Sequence, residues 1–270
     1  MTSDSLHSLL GQVETLCGLA GTEIMKVYQQ TMKVQEKSDS SPVTEADLAA
    51  HSVLLRGLSR LLDLPVLSEE GDMPSLETRR GWSRYWLIDP LDGTRQFIRG
   101  SKDFSVNVAL VEHHQPVLGF VHLPAHGISY RAAKGHGSER NINKGGWRSI
   151  KTSPTATPLR VSVSSQRGGP RQQRLLQCVG PVVLDLKGSS WKSCAVAEGS
   201  ADLYPRFGPT CEWDTAAAQC IVEEAGGLMT DIDLKPLQYN QRQTLINPDF
   251  FVFGEQALAE TIQPFLADIA

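Results

Sequence analysis

Tyr85-Trp86-Leu87-Ile88 runs without a polar break into Asp89-Pro90-Leu91-Asp92-Gly93-Thr94. Four apolar residues that stop at turn-forming ones read as a short strand. Two carboxylates three residues apart therefore fall at a strand end, and the fold has to deliver that end to a polar place. Pro90 stiffens the backbone there and Gly93 permits close approach, so two carboxylates and a carbonyl can be aimed at one point. Oxygen donors at this density suit a hard divalent cation, Mg²⁺ or Mn²⁺ rather than zinc, because no His or Cys stands at zinc spacing nearby. Taken alone, the segment reads equally well as an ordinary acidic turn.

Three other acidic points have the same ambiguity. Pro65-Val66-Leu67-Ser68 reads as a strand ending in Glu69-Glu70, and a Glu pair is more often a solvated loop. Trp213-Asp214 opens a helix that continues through Thr215 and Ala216-Ala217-Ala218, where an Asp serves well as an N-cap without any chemistry. Asp47 lies in the first turn of a periodic segment running from Thr44 to about Leu62, where a negative charge suits the helix dipole.

The rest of the pattern predicts layers. Leu6, Leu9, Leu10, Val13, Leu16, Cys17, Ala20, Ile24 and Tyr28 recur at three- and four-residue spacing, the stripe of an amphipathic opening helix. A polar loop, Lys37 to Thr44, follows it. Phe104 to Leu110, Pro116 to Leu123 and Ile128 to Ala133 read as an antiparallel meander. Its turns and strands place His113, His114, His122 and His126 at solvent. After the proline-rich stretch Ser153 to Pro158, strands (Leu159 to Ser164, Val182 to Leu186, one near Leu203) alternate with helices (Pro170 to Val179, Ser190 to Glu198, Trp213 to Ala225). An α+β first half then passes into an α/β second half. With 270 residues, more than one small core requires, the expected division is an N-terminal subdomain 1–155 with most of the acids and a C-terminal one 156–270.

Composition removes several function classes. The formal net charge is −4 and no long Lys/Arg tract occurs, so the positive footprint of a nucleic-acid binder is missing. Five cysteines without a C-x-x-C pair suit reduced thiols in a cytosol. No apolar run approaches the ~18 residues of a spanning helix; the expectation is a cytoplasmic protein without an integral membrane segment, with peripheral attachment at the inner membrane face left open. The motifs of phosphate-loop hydrolases, α/β-hydrolases and zincins do not occur. Nothing in the sequence speaks to oligomeric state.

Leu67-Ser68-Glu69-Glu70, then Asp89 to Thr94, then Trp213 to Ala217 with Glu224-Ala225-Gly226-Gly227, together with Val43 to Asp47, resemble in order the signature of the inositol monophosphatase superfamily of metal-dependent, lithium-sensitive phosphatases. The resemblance implies a layered αβαβα sugar-phosphatase fold with the site between the halves. It implies that Glu69, Asp89, Asp92, Asp214 and the Leu91 carbonyl hold two or three Mg²⁺ ions, with Mn²⁺ as a substitute. Asp47 and Thr94, with Glu69, become the catalytic group around the attacking water, and Gly93 and Thr94 offer backbone N–H groups to the phosphate.

The segments Gly188 to Gly199 and Asp202 to Thr210 resemble the CysQ branch, the 3′(2′),5′-bisphosphate nucleotidases. That branch implies hydrolysis of the 3′-phosphate of adenosine 3′,5′-bisphosphate to AMP and phosphate in sulfur assimilation, and action on the 3′-phosphorylated sulfate donor. Inositol monophosphatases tend to carry an acid near the position of Arg206, whereas a base suits a second phosphate. The implied substrate contacts are Glu69, Leu91, Asp92, Gly93, Thr94, Ser189, Ser190, Lys192, Arg206 and Asp214. Read without the resemblance, Lys192 is a solvated helix position and Arg206 a surface salt bridge. Trp191 departs from the smaller aliphatic residue of relatives. An inositol monophosphate or sugar bisphosphate on the same metals is the alternative substrate.

Overall fold

The computed structural model describes residues 3–28, 34–36, 42–164 and 168–266; residues 37–41 of the expected polar loop lie outside them. The chain opens with α1 (Ser3–Tyr28), a two-stranded ribbon of β1 (Val34–Glu36) and β2 (Pro42–Thr44), and α2 (Glu45–Leu61). A seven-stranded sheet follows in the order β3-β4-β5-β6-β7-β8-β9. Its strands are β3 (Val66–Ser68), β4 (Arg84–Asp92), β5 (Ser105–Glu112), β6 (Gln115–Leu123), β7 (Ile128–Ala133), β8 (Ser138–Ile142) and β9 (Arg148–Ile150). The short helices α3 (Leu76–Arg80) and α4 (Thr94–Ile98) flank β4 in sequence. The second half contributes β10 (Leu159–Val163), α5 (Pro170–Cys178), β11 (Val182–Leu186), α6 (Trp191–Ala197), β12 (Leu203–Arg206), α7 (Glu212–Glu224), β13 (Leu228–Asp231), β14 (Phe250–Phe253) and α8 (Gln256–Leu266). Its five strands pair in the order β11-β10-β12-β14-β13.

Strand alternation explains why these elements stack. On β4, Trp86 and Ile88 face the apolar stripe of α1 and α2, while Tyr85 and Leu87 face α6 and α7. Both faces of the large sheet are thus covered, which is why β5 is buried over nearly its whole length. The small sheet is sandwiched in the same way. Tyr204, Phe250 and Val252 share the core of α6 and α7, and Val161, Phe251 and Phe253 pack beneath Leu175 of α5 and Leu258 and Ile262 of α8. The result is the layered αβαβα architecture, with α6 and α7 as its central layer.

Several elements depart from the expected boundaries. β4 continues through Asp89 to Asp92, pairing Asp89 with Asn107 and Asp92 with Ser105 across a register irregularity, so the acidic segment is bulged strand rather than a turn beyond one. β5 reaches Glu112, two residues past Leu110. Three of the four histidines of the meander are also less exposed than expected, because Tyr239, Asp103 and α1 lie against them. His114 Nδ1 lies 2.9 Å from the Tyr239 carbonyl, and His126 Nε2 lies 3.0 Å from Asp103 Oδ1. His122 packs against Gly21 of α1 with its Nδ1 2.9 Å from Ser129 Oγ, and burial pushes its pKa down to about 4. Only His113 remains open to solvent among these four. Among the described residues, no helix is long and apolar enough to cross a membrane.

Candidate active site

The ends of β3 and β4 and the starts of α4, α6 and α7 converge on a cavity of about 310 Å³ between the two sheets. Glu69, Asp89, Leu91, Asp92, Gly93, Thr94, Ser189, Ser190, Lys192, Arg206 and Asp214 all line it. Asp47 stands behind Thr94, whose Oγ1 lies 3.2 Å from Asp47 Oδ1 and 3.2 Å from the Leu91 carbonyl. Gly93 enters α4 at φ +95°, where a Cβ would press on the Asp103 carbonyl; that left-handed turn favours glycine.

One carboxylate oxygen from each of Glu69, Asp89 and Asp214 lies within 4.8 Å of the other two. Asp89 is buried, its Oδ1 accepting the Leu91 N–H at 3.0 Å and its Oδ2 accepting no hydrogen bond. Burial first, and then the charges of Glu69, Asp92 and Asp214, push its pKa well up. Burial and the Asp92 charge likewise raise Asp214 to about 7. Burial also raises Asp92, against the opposing pull of Lys192, Asn107 and Ser190. Carboxylates this close in a dry site cannot all ionise unaided. An orphaned buried carboxylate oxygen among donors that are all oxygen fits a hard divalent cation. Asp214 is also a structural residue. It occupies the third position of α7 rather than the N-cap, and its Oδ2 accepts the Cys211 N–H at 2.9 Å.

Positive charge enters from the opposite wall. Lys192 is 4% exposed, so it is not a solvated helix position; its Nζ donates to the Ser189 carbonyl at 2.7 Å and sits 5.2 Å from the centre of the Tyr204 ring. Burial brings its pKa down to about 8, with the Asp92 charge holding it up. Arg206 makes no ion pair among the described residues, contrary to the salt-bridge reading; its Nη2 donates to the Pro209 carbonyl at 3.1 Å. Trp191 does not line the cavity. Its ring lies 4.4 Å from the His126 ring and carries Lys187 Nζ at 4.6 Å, so this departure leaves the cavity wall unchanged.

Sequence reasoning missed Arg95, Gln96, Tyr204, Thr210 and Phe250, which also line the cavity. It also missed Asn107, a 1% exposed amide that contacts Asp92 and Ser190. The available signal was a lone amide, two residues after Ser105, in the mostly apolar run from Phe104 to Leu110.

Residues 6–266 match the sequence pattern of the inositol monophosphatase family. The chain belongs to that family. Within it, the chain is 45% identical over 247 residues to the 3′(2′),5′-bisphosphate nucleotidase CysQ of Escherichia coli K12, covering 90% of this chain and 99% of the relative. It is 40% identical over 252 residues to the nucleotidase of the same name from Haemophilus influenzae, covering 92% and 94%. Among solved structures, CysQ from Bacteroides thetaiotaomicron superposes with a TM-score of 0.76 at 36% identity, covering 88% of this chain and 94% of that one. An IMPase of Thermotoga maritima superposes with a TM-score of 0.76 at 24% identity, covering 95% and 97%, a likeness of fold.

Proposed function

We propose that this chain is a divalent-metal-dependent 3′(2′),5′-bisphosphate nucleotidase that removes the 3′-phosphate of adenosine 3′,5′-bisphosphate, leaving AMP and phosphate. The observation that carries the reading is the pairing, in one cavity, of an acidic cluster with Lys192 and Arg206. Glu69, Asp89, Asp92, Asp214 and the Leu91 carbonyl would hold Mg²⁺, two or three ions in all, and Mn²⁺ suits the same donors. Bound cations supply the positive charge that activates water and neutralises the departing alkoxide. The residues around them orient the reactants. With the Thr94 hydrogen directed to Asp47, the free lone pair of Thr94 Oγ1 accepts a hydrogen from the attacking water, and Asp47 is the base behind it. Glu69 faces the same water from the β3 end, and the Gly93 and Thr94 N–H groups meet phosphate oxygens.

Lys192 and Arg206 then hold the second phosphate, with Ser189 and Ser190 shaping its wall, because charge-assisted hydrogen bonds are the strong kind. The identity with the CysQ nucleotidases supports this substrate. The same cations would also serve the 3′-phosphorylated sulfate donor, and on this reading the enzyme works in cytoplasmic sulfur assimilation. In this reading 1–155 supplies most of the carboxylates, and 156–270 supplies the cations and Asp214. Arg206→Glu tests it: kcat/KM for the nucleotide should fall by about two orders of magnitude, the scale of a truncated and reversed charge contact, while Mg²⁺ binding persists. Unchanged nucleotide turnover in that variant contradicts the assignment.

A further inference from the structure

Asn107 sits in the middle of β5 between Val106 and Val108, both fully buried. A buried amide is costly unless its donors and acceptor are used, and here all are. Its Nδ2 donates to Ser190 Oγ at 2.9 Å and to Asp92 Oδ2 at 3.4 Å, and its Oδ1 accepts from Ser105 Oγ at 2.9 Å. The Asp92 carboxylate fixes this orientation, since the flipped amide would turn its oxygen toward a negative oxygen.

Hydrogen accounting then sets the direction of the whole chain. Ser105 has one hydroxyl hydrogen and gives it to Asn107, so its 2.9 Å contact with Ser189 Oγ must be donated by Ser189. Ser190 accepts from Asn107 and directs its own hydrogen toward Asp92 Oδ2 at 3.2 Å or the Asp214 carbonyl at 2.8 Å. An unbroken path therefore runs from Ser189 through Ser105 and Asn107 to Asp92, with Ser190 as a branch from Asn107. It begins at the entry to α6, beneath the small sheet, and ends on β4 of the large one.

Ser189 is where this path meets the cations. It stands at φ +43°, a left-handed conformation that a side-chain-bearing residue adopts only when its surroundings hold it there. In that conformation its carbonyl receives Lys192 Nζ. The bond that holds the Ser189 hydroxyl thus also fixes where the Lys192 ammonium rests.

We propose that Asn107 is a positioning residue that keeps Asp92 and the Ser189–Lys192 segment in register, so that affinity for the metal and affinity for the second phosphate depend on one side chain. The inference rests on the nucleotidase reading for its second ligand. Coupling through a shared element is reciprocal.

The test measures two binding constants rather than turnover. Mg²⁺ is titrated against the nucleotide-free protein by calorimetry, and adenosine 3′,5′-bisphosphate is titrated in the presence of chelator, for wild type, Asn107→Leu and Ser105→Ala. Asn107→Leu keeps the branched shape and the number of heavy atoms and removes both donors and the acceptor. It should weaken both affinities by about tenfold, the value of a hydrogen bond to a charged group. Ser105→Ala removes the Ser189 branch, the hydrogen donated to Asn107 Oδ1 and a long 3.5 Å contact to Asp92 Oδ2, but leaves Asn107 Nδ2 on Asp92, so it should weaken the nucleotide severalfold and shift the Mg²⁺ midpoint far less. A merely structural Asn107 would lower Tm and leave both constants at the wild-type values, which overturns the proposal; so does a Ser105→Ala variant with wild-type nucleotide affinity. Should Asn107→Leu not fold, the split in Ser105→Ala decides. Wild-type protein that neither binds the nucleotide in chelator nor releases phosphate from it with Mg²⁺ contradicts the nucleotidase reading instead, and the Mg²⁺ midpoint of Asn107→Leu then decides the role of Asn107 alone.

Discussion

Lys192 shows how one buried side chain links burial, charge and substrate choice. Burial lowers its pKa to about 8 from 10.5. Below pH 8 both folded and unfolded chains carry the proton, so the cost of burying the ammonium is present in full. Between pH 8 and 10.5 the unfolded chain holds a proton that the folded one has released, and the cost is relieved as pH rises. On the proposed second-phosphate role, function runs the other way, because the neutral amine cannot form an ion pair with a phosphate. We expect kcat/KM for the nucleotide, which reports the free enzyme, to decline above about pH 8. Lys192→Arg keeps its charge across this range and should flatten that decline, whereas Lys192→Met should be weak at every pH. An equally steep alkaline decline in Lys192→Arg would assign it to another group. The residue types at this scale were largely legible in the sequence, since Glu69, Asp89, Asp92, Lys192, Arg206 and Asp214 line the cavity and Asp47 supports its wall. Asn107 was not, because its role depends on the β4–β5 register, which pairs Asp89 with Asn107 and has no sequence motif.

Elements with long periodicity could be read, and short ones could not. The stripe of α1 and the meander of β5, β6 and β7 follow from spacing alone. α4 spans five residues, too few for a helical period. The continuation of β4 past Pro90 was hidden by the proline itself, which usually argues against a central strand. The structure resolves this, because β3 stops pairing at Ser68 opposite Ile88, so Pro90 lies beyond the last rung on that side and its missing N–H leaves no gap in that ladder. The closest approach of central helix and large sheet was equally invisible. A Cβ on Gly119 of β6 would overlap the Ala217 carbonyl oxygen of α7, whereas one on Gly18 of α1 meets nothing within 4 Å. Gly119→Ala should therefore destabilise by about 1–3 kcal/mol through overpacking, and Gly18→Ala should be neutral or stabilise by up to about 1 kcal/mol. Urea unfolding of the two variants checks this; equal stabilities would mean that α7 does not rest on β6 as closely as described.

Across the whole molecule, the two sheets present opposite charges to one seam. The ends of β3 and β4 bring Glu69, Asp89 and Asp92, and the start of α7 brings Asp214; α6 and β12 bring Lys192 and Arg206 from the far side. A chain with 26 basic and 30 acidic residues has no overall positive field to draw in a polyanion. On the proposed reading, recognition of a bisphosphate then comes from this local pairing, together with cations that the acids would hold. The most direct measurement is phosphate release from adenosine 3′,5′-bisphosphate and from inositol 1-phosphate, side by side, with Mg²⁺ and with chelator. Mg²⁺-dependent turnover that strongly favours the nucleotide is expected. Preference for the inositol ester, or turnover that persists in chelator, would contradict the proposed function.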